Sequence, residues 1–371
     1  MSSKLTYLRS ARLAARHPPH CRTFATTASS RSNNNIEIVE VGPRDGLQNE
    51  KQAISVATKI ELVERLVKTG LSVIEAGSFV SPKWVPQMAN SSEILEHITR
   101  NNPQLDRPLK YQWLLPNAKG FEHFLTVLNR PGSAYPSPPA SPSPDKSPTR
   151  TTSDVKSSSH EVSIFTAATE SFTRKNTNCS IAESLERFTP IMTESTNLGL
   201  NVRAYISVAL GCPYEGPNTD PQQVAELAVN LLEMGAYQIS VADTTGMGTP
   251  LKTADLLKAL EAAGIDKKDI SLHFHDTYGQ ALVNSMVALE HGIRSFDSAV
   301  GGLGGCPFSP GATGNVATED MVHCFHSLGL QTGIDLEKLS AVGDWIMRQL
   351  GRPNDSRAGK ATMAQMRKEG R

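Results

Sequence analysis

No stretch of the sequence approaches the ~20 consecutive apolar residues that a bilayer-spanning helix requires, so nothing in it calls for a membrane. Cysteine is scarce and unpaired. Cys21, Cys179, Cys212, Cys306 and Cys324 are odd in number and form no Cys-x-x-Cys, which argues against a disulfide framework and a thiolate zinc site. A reducing compartment fits this usage, and each thiol is by default a small buried hydrophobe. Charge of one sign is not in excess either: 37 basic residues balance 37 acidic ones, so nucleic acid is not an indicated partner. Acidic residues are wholly missing from one place, the N-terminus. Glu37 is the first, and Lys4, Arg9, Arg12, Arg16, Arg22 and Arg31 precede it among Ser and Ala. That composition predicts a mitochondrial transit peptide over residues 1–35 and a matrix location. Cutting after Phe24 would leave 32 basic residues against 37 acidic ones.

From Ile36 onward, short runs rich in Val and Ile alternate with longer helical patterns. The runs are Ile36–Val41, Ser72–Ala76, Tyr111–Leu115, Val162–Thr166, Val202–Ala209, Tyr237–Ala242, Ile270–His275 and Ser295–Val300. Between them lie helix-like stretches such as Pro221–Met234, where Val224, Leu227, Ala228, Leu231 and Leu232 recur at helical spacing. Gaps of that length require crossover helices, so the strands are expected to be parallel. Eight such units match an α/β protein of the (β/α)8 TIM-barrel type over residues 36–335. The rival architecture, a doubly wound open sheet, would show a Gly-rich turn after its first strand, and none is present.

Two segments break the rhythm. Residues 131–159 are dominated by Ser, Pro and Thr, and with so little apolar content they cannot offset their ordering entropy; a disordered insertion is expected. Residues 336–371 begin as a helical extension (Leu336, Leu339, Val342, Ile346) and end as a polar, basic tail. The closing Glu-Gly-Arg is not a peroxisomal address.

Chemistry in a TIM barrel gathers at the C-terminal ends of the strands. After the first strand stands Gly42-Pro43-Arg44-Asp45-Gly46-Leu47-Gln48-Asn49-Glu50; the seventh ends in His273-Phe274-His275-Asp276; after the eighth come Gly301-Gly302-Leu303-Gly304-Gly305-Cys306-Pro307 and later Gly314-Asn315. Residues two apart on a strand share a face, so His273 and His275 should both point inward and Phe274 outward. Two adjacent imidazoles suit a metal, although hydrogen-bonded structural histidines would look the same. Barrel zinc hydrolases carry His-x-His after the first strand, not the seventh. Asp45 and Asn315 would complete two nitrogens and two oxygens, a set for octahedral Mg2+ or Mn2+. Arg44 offers a fixed cation for a developing oxyanion, with a plain salt bridge as the bland alternative. Glu40, on the inward phase with Ile36 and Ile38, joins Glu75 and Asp243 as acids that either assist catalysis or form structural ion pairs. Cys306 lies in a Gly-rich loop, where it is either a proton donor or a packing residue.

At these segments the chain resembles the 3-hydroxy-3-methylglutaryl-CoA lyases, from about Ile36 to Leu339. The matching stretches include Val41–Glu50, Ser78–Met88, Ala242–Gly246, His273–Thr277 and the loop Gly301–Asn315. The resemblance implies metal-dependent cleavage of an acyl-CoA substrate to acetyl-CoA and acetoacetate, as in leucine degradation. It implies that Asp45, His273, His275 and Asn315 hold a divalent metal, and that Arg44 stabilises the enolate. Cys306 would then protonate the carbanion, with Glu75 and Asp243 assisting proton traffic. Gln48 and Ser78, inside matched stretches, are expected substrate contacts, and a homodimer is expected. The alternative within the superfamily is an acetyl-CoA-condensing synthase of the isopropylmalate or homocitrate type, which shares the metal logic but not the Gly-Gly-Cys-Pro loop. The insertion and the segment after Leu339 depart from the family pattern.

Overall fold

A computed structural model describes residues 34–103, 105–130, 159–305 and 314–371. The expected transit peptide up to residue 33, the bulk of the insertion and Cys306 lie outside these residues. Among the described residues, eight parallel strands close into a barrel in sequential order: β1 (Glu37–Glu40), β2 (Val73–Ser78), β3 (Lys110–Leu114), β4 (Ser159–Ala167), β5 (Val202–Ser207), β6 (Gln238–Asp243), β7 (Ile270–Phe274) and β8 (Ser295–Ser298). Closure is made by β1 on β8, with Glu37 opposite Ser295 and Val39 opposite Asp297.

Helices cross over between the strands: α1 (Val56–Val67), α2 (Ser91–Arg100), α3 (Ala118–Leu128), α4 (Glu170–Thr177), α5 (Ile181–Asn197), α6 (Pro221–Glu233), α7 (Pro250–Ala262), α8 (Ala281–Glu290) and α9 (Thr318–Ser327). Their starts are written in the sequence. Asp220 caps the Gln222 N–H ahead of Pro221 in α6, and Ser180 with Glu183 forms a reciprocal capping box at α5. The extension forms α10 (Leu336–Gln349) and α11 (Arg357–Lys368), so the polar tail is a helix. Its start is held by Asp320, which accepts from the Ser356 hydroxyl and the Arg357 and Ala358 N–H groups.

Two boundaries move. Ser159 is the first residue of β4, its N–H bonded to the Leu109 carbonyl, and Asn35 bridges to Gln331. A larger correction concerns which strand face is apolar. Large apolar strand residues such as Phe296 and Trp113 face the helices: Phe296 lies 5.1 Å from Phe325 of α9, and Trp113 lies 6.4 Å from Phe124 of α3. The barrel interior is instead a polar network that includes Gln112, Glu161, Arg203, Gln238, Ser240, Ser271, Ser295 and Asp297. Glu40 therefore does not face inward with Ile36 and Ile38 around a catalytic centre. It points to the helical layer, where Thr318 donates to Oε2 at 2.7 Å and the Gly42 and Val300 N–H groups donate to Oε1.

Candidate functional site

The chain leaves β1 into one turn of π-helix, Gly42–Gly46, where the Gly46 N–H reaches back to the Val41 carbonyl. Single π turns are rare and re-aim side chains, commonly at functional sites. This one turns Arg44 and Asp45 into the mouth. Gly46 packs so closely on Leu303 that a Cβ there would stand 2.7 Å from that side chain, which ties the first loop to the last.

Arg44 is buried and held by two carboxylates. Its Nε and Nη2 donate to Glu75 Oε2 at 2.7 and 2.6 Å, and its Nη1 donates to Asp45 Oδ1 at 2.7 Å. Its guanidinium also lies over the Tyr205 ring, 5.5 Å from the centroid. Burial pushes the Glu75 carboxyl up, against the pull of Arg44. Ser163 donates to the other Glu75 oxygen at 3.1 Å.

The expected metal donors converge. Asp45, His273 and His275 present ligand atoms all within 4.8 Å of one another. The two imidazoles are 5.3 Å apart between centroids. Asn315 reaches the same point because residues 275 and 315 form an isolated antiparallel bridge, and its Nδ2 donates to Asp45 Oδ2 at 2.8 Å. Burial would raise the Asp45 carboxyl, but Arg44 and the imidazoles outweigh it and hold it at about 2. Burial, then the neighbouring His273, lowers His275 to about 4, so it is a neutral base with a free lone pair. Buried and without a hydrogen-bond partner are His275 Nδ1 and Asn315 Oδ1. Orphaned buried acceptors are costly, and two of them beside a carboxylate and a second imidazole fit a hard or borderline divalent cation.

Arg44, Asp45, His273 and His275 line a cleft of about 610 Å3, together with Gln48, Ser78, Phe165, Tyr205 and Gly305 and the exposed Lys175 and Arg187. Gln48 and Ser78 thus stand where a substrate contact was expected, although the Ser78 hydroxyl also donates to the Leu114 carbonyl. Asp243 does not line the cleft. It curls into the turn after β6, accepting from the Gly248 N–H at 2.9 Å, with burial raising its carboxyl to about 6. Cys306 follows Gly305, whose carbonyl accepts from Asn49 at 3.0 Å, and is itself outside the described residues.

Sequence reasoning missed two groups. Asp297 on β8 lies opposite His273 in register and accepts from its Nδ1 at 3.2 Å. Arg203 on β5 donates to both Asp297 oxygens, at 2.5 and 3.1 Å, and to the Tyr205 hydroxyl at 2.8 Å. The signal was available as an acid and a base on the phase of Ser295 and Tyr205, but it is visible only once that phase is known to face inward.

The HMGL-like family model matches residues 35–129 and 142–346. The chain belongs to the HMGL-like family. Within that family it is 45% identical over 341 residues to the mitochondrial hydroxymethylglutaryl-CoA lyase of Rattus norvegicus, covering 92% of this chain and 94% of the relative. It is 47% identical over 329 residues to the 3-hydroxy-3-isohexenylglutaryl-CoA/hydroxymethylglutaryl-CoA lyase of Pseudomonas aeruginosa, covering 89% and 97%. A crystal structure of hydroxymethylglutaryl-CoA lyase from Pseudomonas aeruginosa superposes with a TM-score of 0.77 at 45% identity, covering 90% of this chain and 98% of that one. The HMGL-like barrel of this chain thus falls among hydroxymethylglutaryl-CoA lyases rather than condensing synthases.

Proposed function

We propose that the chain cleaves 3-hydroxy-3-methylglutaryl-CoA to acetyl-CoA and acetoacetate, a retro-Claisen reaction that requires Mg2+ or Mn2+. The observation that carries this reading is the meeting of Arg44 with Asp45, His273 and His275 at one cleft, with Asn315 on Asp45, in a chain so similar to lyases of that name. Asp45, His273, His275 and Asn315 would hold a divalent cation, whose Lewis acidity would make the substrate's tertiary hydroxyl easier to deprotonate.

The chain's own groups account for the rest. The C3 hydroxyl proton leaves to a base, with Glu75 assisting that proton traffic from behind Arg44. The oxygen's electron pair closes the ketone of acetoacetate as the C2–C3 bond breaks, and the bonding pair passes to C2 as the enolate of acetyl-CoA. Arg44, fixed from behind by Glu75, provides positive charge where that enolate oxygen develops. Cys306 gives the proton that turns C2 into the methyl group of acetyl-CoA. Asp243 supports from the β6–α7 turn, Gln48 and Ser78 contact the acyl portion, and the exposed Lys175 and Arg187 suit the phosphates of a CoA thioester.

The test is to incubate purified protein with this thioester and Mg2+ and to assay acetoacetate. Formation of both products is expected. No acetoacetate, together with CoA release from acetyl-CoA plus a 2-keto acid, would replace this reading with the condensing one. We also propose a mitochondrial matrix location, supported by the acid-free N-terminus and by the name of the rat relative, and a homodimer, to be read from the solution mass.

A further inference from the structure

We propose that Asp297 and Arg203 are a positioning pair that pre-sets His273 for cation binding by fixing its ring orientation and tautomer from inside the barrel. The inference rests on the metal reading above. A neutral imidazole binds a cation only through the nitrogen that carries no proton. Asp297 Oδ2 stands 3.2 Å from His273 Nδ1, and a carboxylate in that place holds the ring proton on Nδ1. The lone pair is then left on Nε2, the nitrogen that faces Asp45 Oδ2 at 3.9 Å.

A bare carboxylate could not do this where Asp297 sits, since its side chain has no solvent exposure. Arg203, equally buried, supplies the countercharge through two N–H donors, and the hydroxyls of Ser240 and Ser271 donate at 2.8 and 3.0 Å. Five donors from three strands, β5 to β7, therefore fix the β8 carboxylate in the rigid part of the barrel rather than on a loop. His275 has no counterpart, for its Nδ1 is without a partner. One imidazole is held from behind and the other is held only by its backbone. Partners of this kind behind metal-binding histidines typically carry about 10- to 100-fold in metal affinity.

The test is Mn2+ affinity of the full-length protein, measured by electron paramagnetic resonance titration. Asp297→Asn is expected to bind Mn2+ about 10- to 100-fold more weakly, with KM for the thioester unchanged once Mn2+ is saturating. Glu161→Gln alters the barrel floor away from Asp297, and is expected to lower the melting temperature with Mn2+ affinity unchanged. Because Asp297→Asn strands a buried arginine and can fail to fold, the tautomer is also read directly. In histidine-labelled, metal-free wild-type protein, 15N NMR should show His273, assigned by its loss in His273→Gln, protonated on Nδ1. A folded Asp297→Asn with wild-type Mn2+ affinity, or a His273 protonated on Nε2, would overturn the proposal. If wild type and His273→Gln bind Mn2+ equally, the metal reading falls instead, and the tautomer still decides the Asp297 contact.

Discussion

Glu319 and Glu40 make stability depend on pH in a direction opposite to ordinary acid denaturation. Both are fully buried at the junction of β8 and α9. Glu319 Oε2 accepts from the Gly301 N–H at 2.8 Å, while Oε1 has no partner and lies against Gly343. Burial drives the Glu319 carboxyl up to about 8 and that of Glu40 to about 7, from an ordinary 4.5. Between pH 4.5 and 8 the folded state therefore holds a proton at Glu319 that the unfolded state has lost, so stability is greatest below 4.5 and falls as pH rises toward 8. At 1.36 kcal/mol per unit the ceiling for Glu319 is about 4–5 kcal/mol. Glu319→Gln mimics the protonated form at every pH. Its stability should equal that of wild type near pH 4.5 and exceed it increasingly above. At about 2 °C per kcal/mol for a domain of this size, the melting advantage should grow by roughly 6–8 °C between pH 5 and pH 8. Thermal melts of both proteins across that range measure it. A wild-type-minus-variant difference that does not change with pH would show that Glu319 is ionised in the fold and that the reasoning is wrong.

Arg44→Lys keeps the charge but loses the fork that grips Glu75 and Asp45, so kcat should fall by about 10²–10³ with little change in KM; near-normal turnover would remove Arg44 from the enolate. Gly304 has φ 129°, and a Cβ there would stand 2.8 Å from Asn315 Nδ2, so Gly304→Ala should introduce about 1–3 kcal/mol of strain and weaken Mn2+ binding; unchanged affinity would free Asn315 from the donor set. Chelation should abolish turnover, with recovery on adding Mg2+ or Mn2+, and at limiting metal the apparent KM should rise. A fluorescent protein carrying residues 1–35 should enter mitochondria; a diffuse cellular signal would count against the transit peptide.

The barrel was legible because the strands are short apolar runs and several crossover helices carry a capping signal, as at Asp220-Pro221 and Ser180–Glu183. Asp45, His273, His275 and Asn315 were legible because strand ends converge in this fold, and a two-residue spacing places two imidazoles on one face. What the residues hid was which face is which. The apolar phase of β1 looked like the interior, yet Ile38 and Glu40 face the helices while Glu37 reaches Ser295 inside. An interior filled by Arg203, Asp297 and serines reads, in one dimension, as the solvent side of a strand, so the group behind His273 passed unseen. Asp243 stands where the strand ends and the chain turns, with one carboxylate oxygen on its own turn's Gly248 N–H and the other buried without a partner.

Charge explains why cation and substrate should be coupled in this site. Of the described cleft residues only Arg44, Lys175 and Arg187 are cationic, and the last two are exposed. Arg44 already spends three N–H donors on Glu75 and Asp45, Arg203 is cancelled by Asp297, and His275 is neutral. This cluster thus carries no net positive charge with which to receive the free carboxylate of the substrate. Desolvating a second carboxylate beside Asp45 without a countercharge would be prohibitive. A dication on the Asp45 and histidine donors resolves both problems at once, since it offsets Asp45 and leaves charge over for the incoming carboxylate. Metal loss should therefore weaken substrate binding as well as slow the chemistry, whereas a site that used its cation only to activate the hydroxyl would lose kcat and keep its affinity.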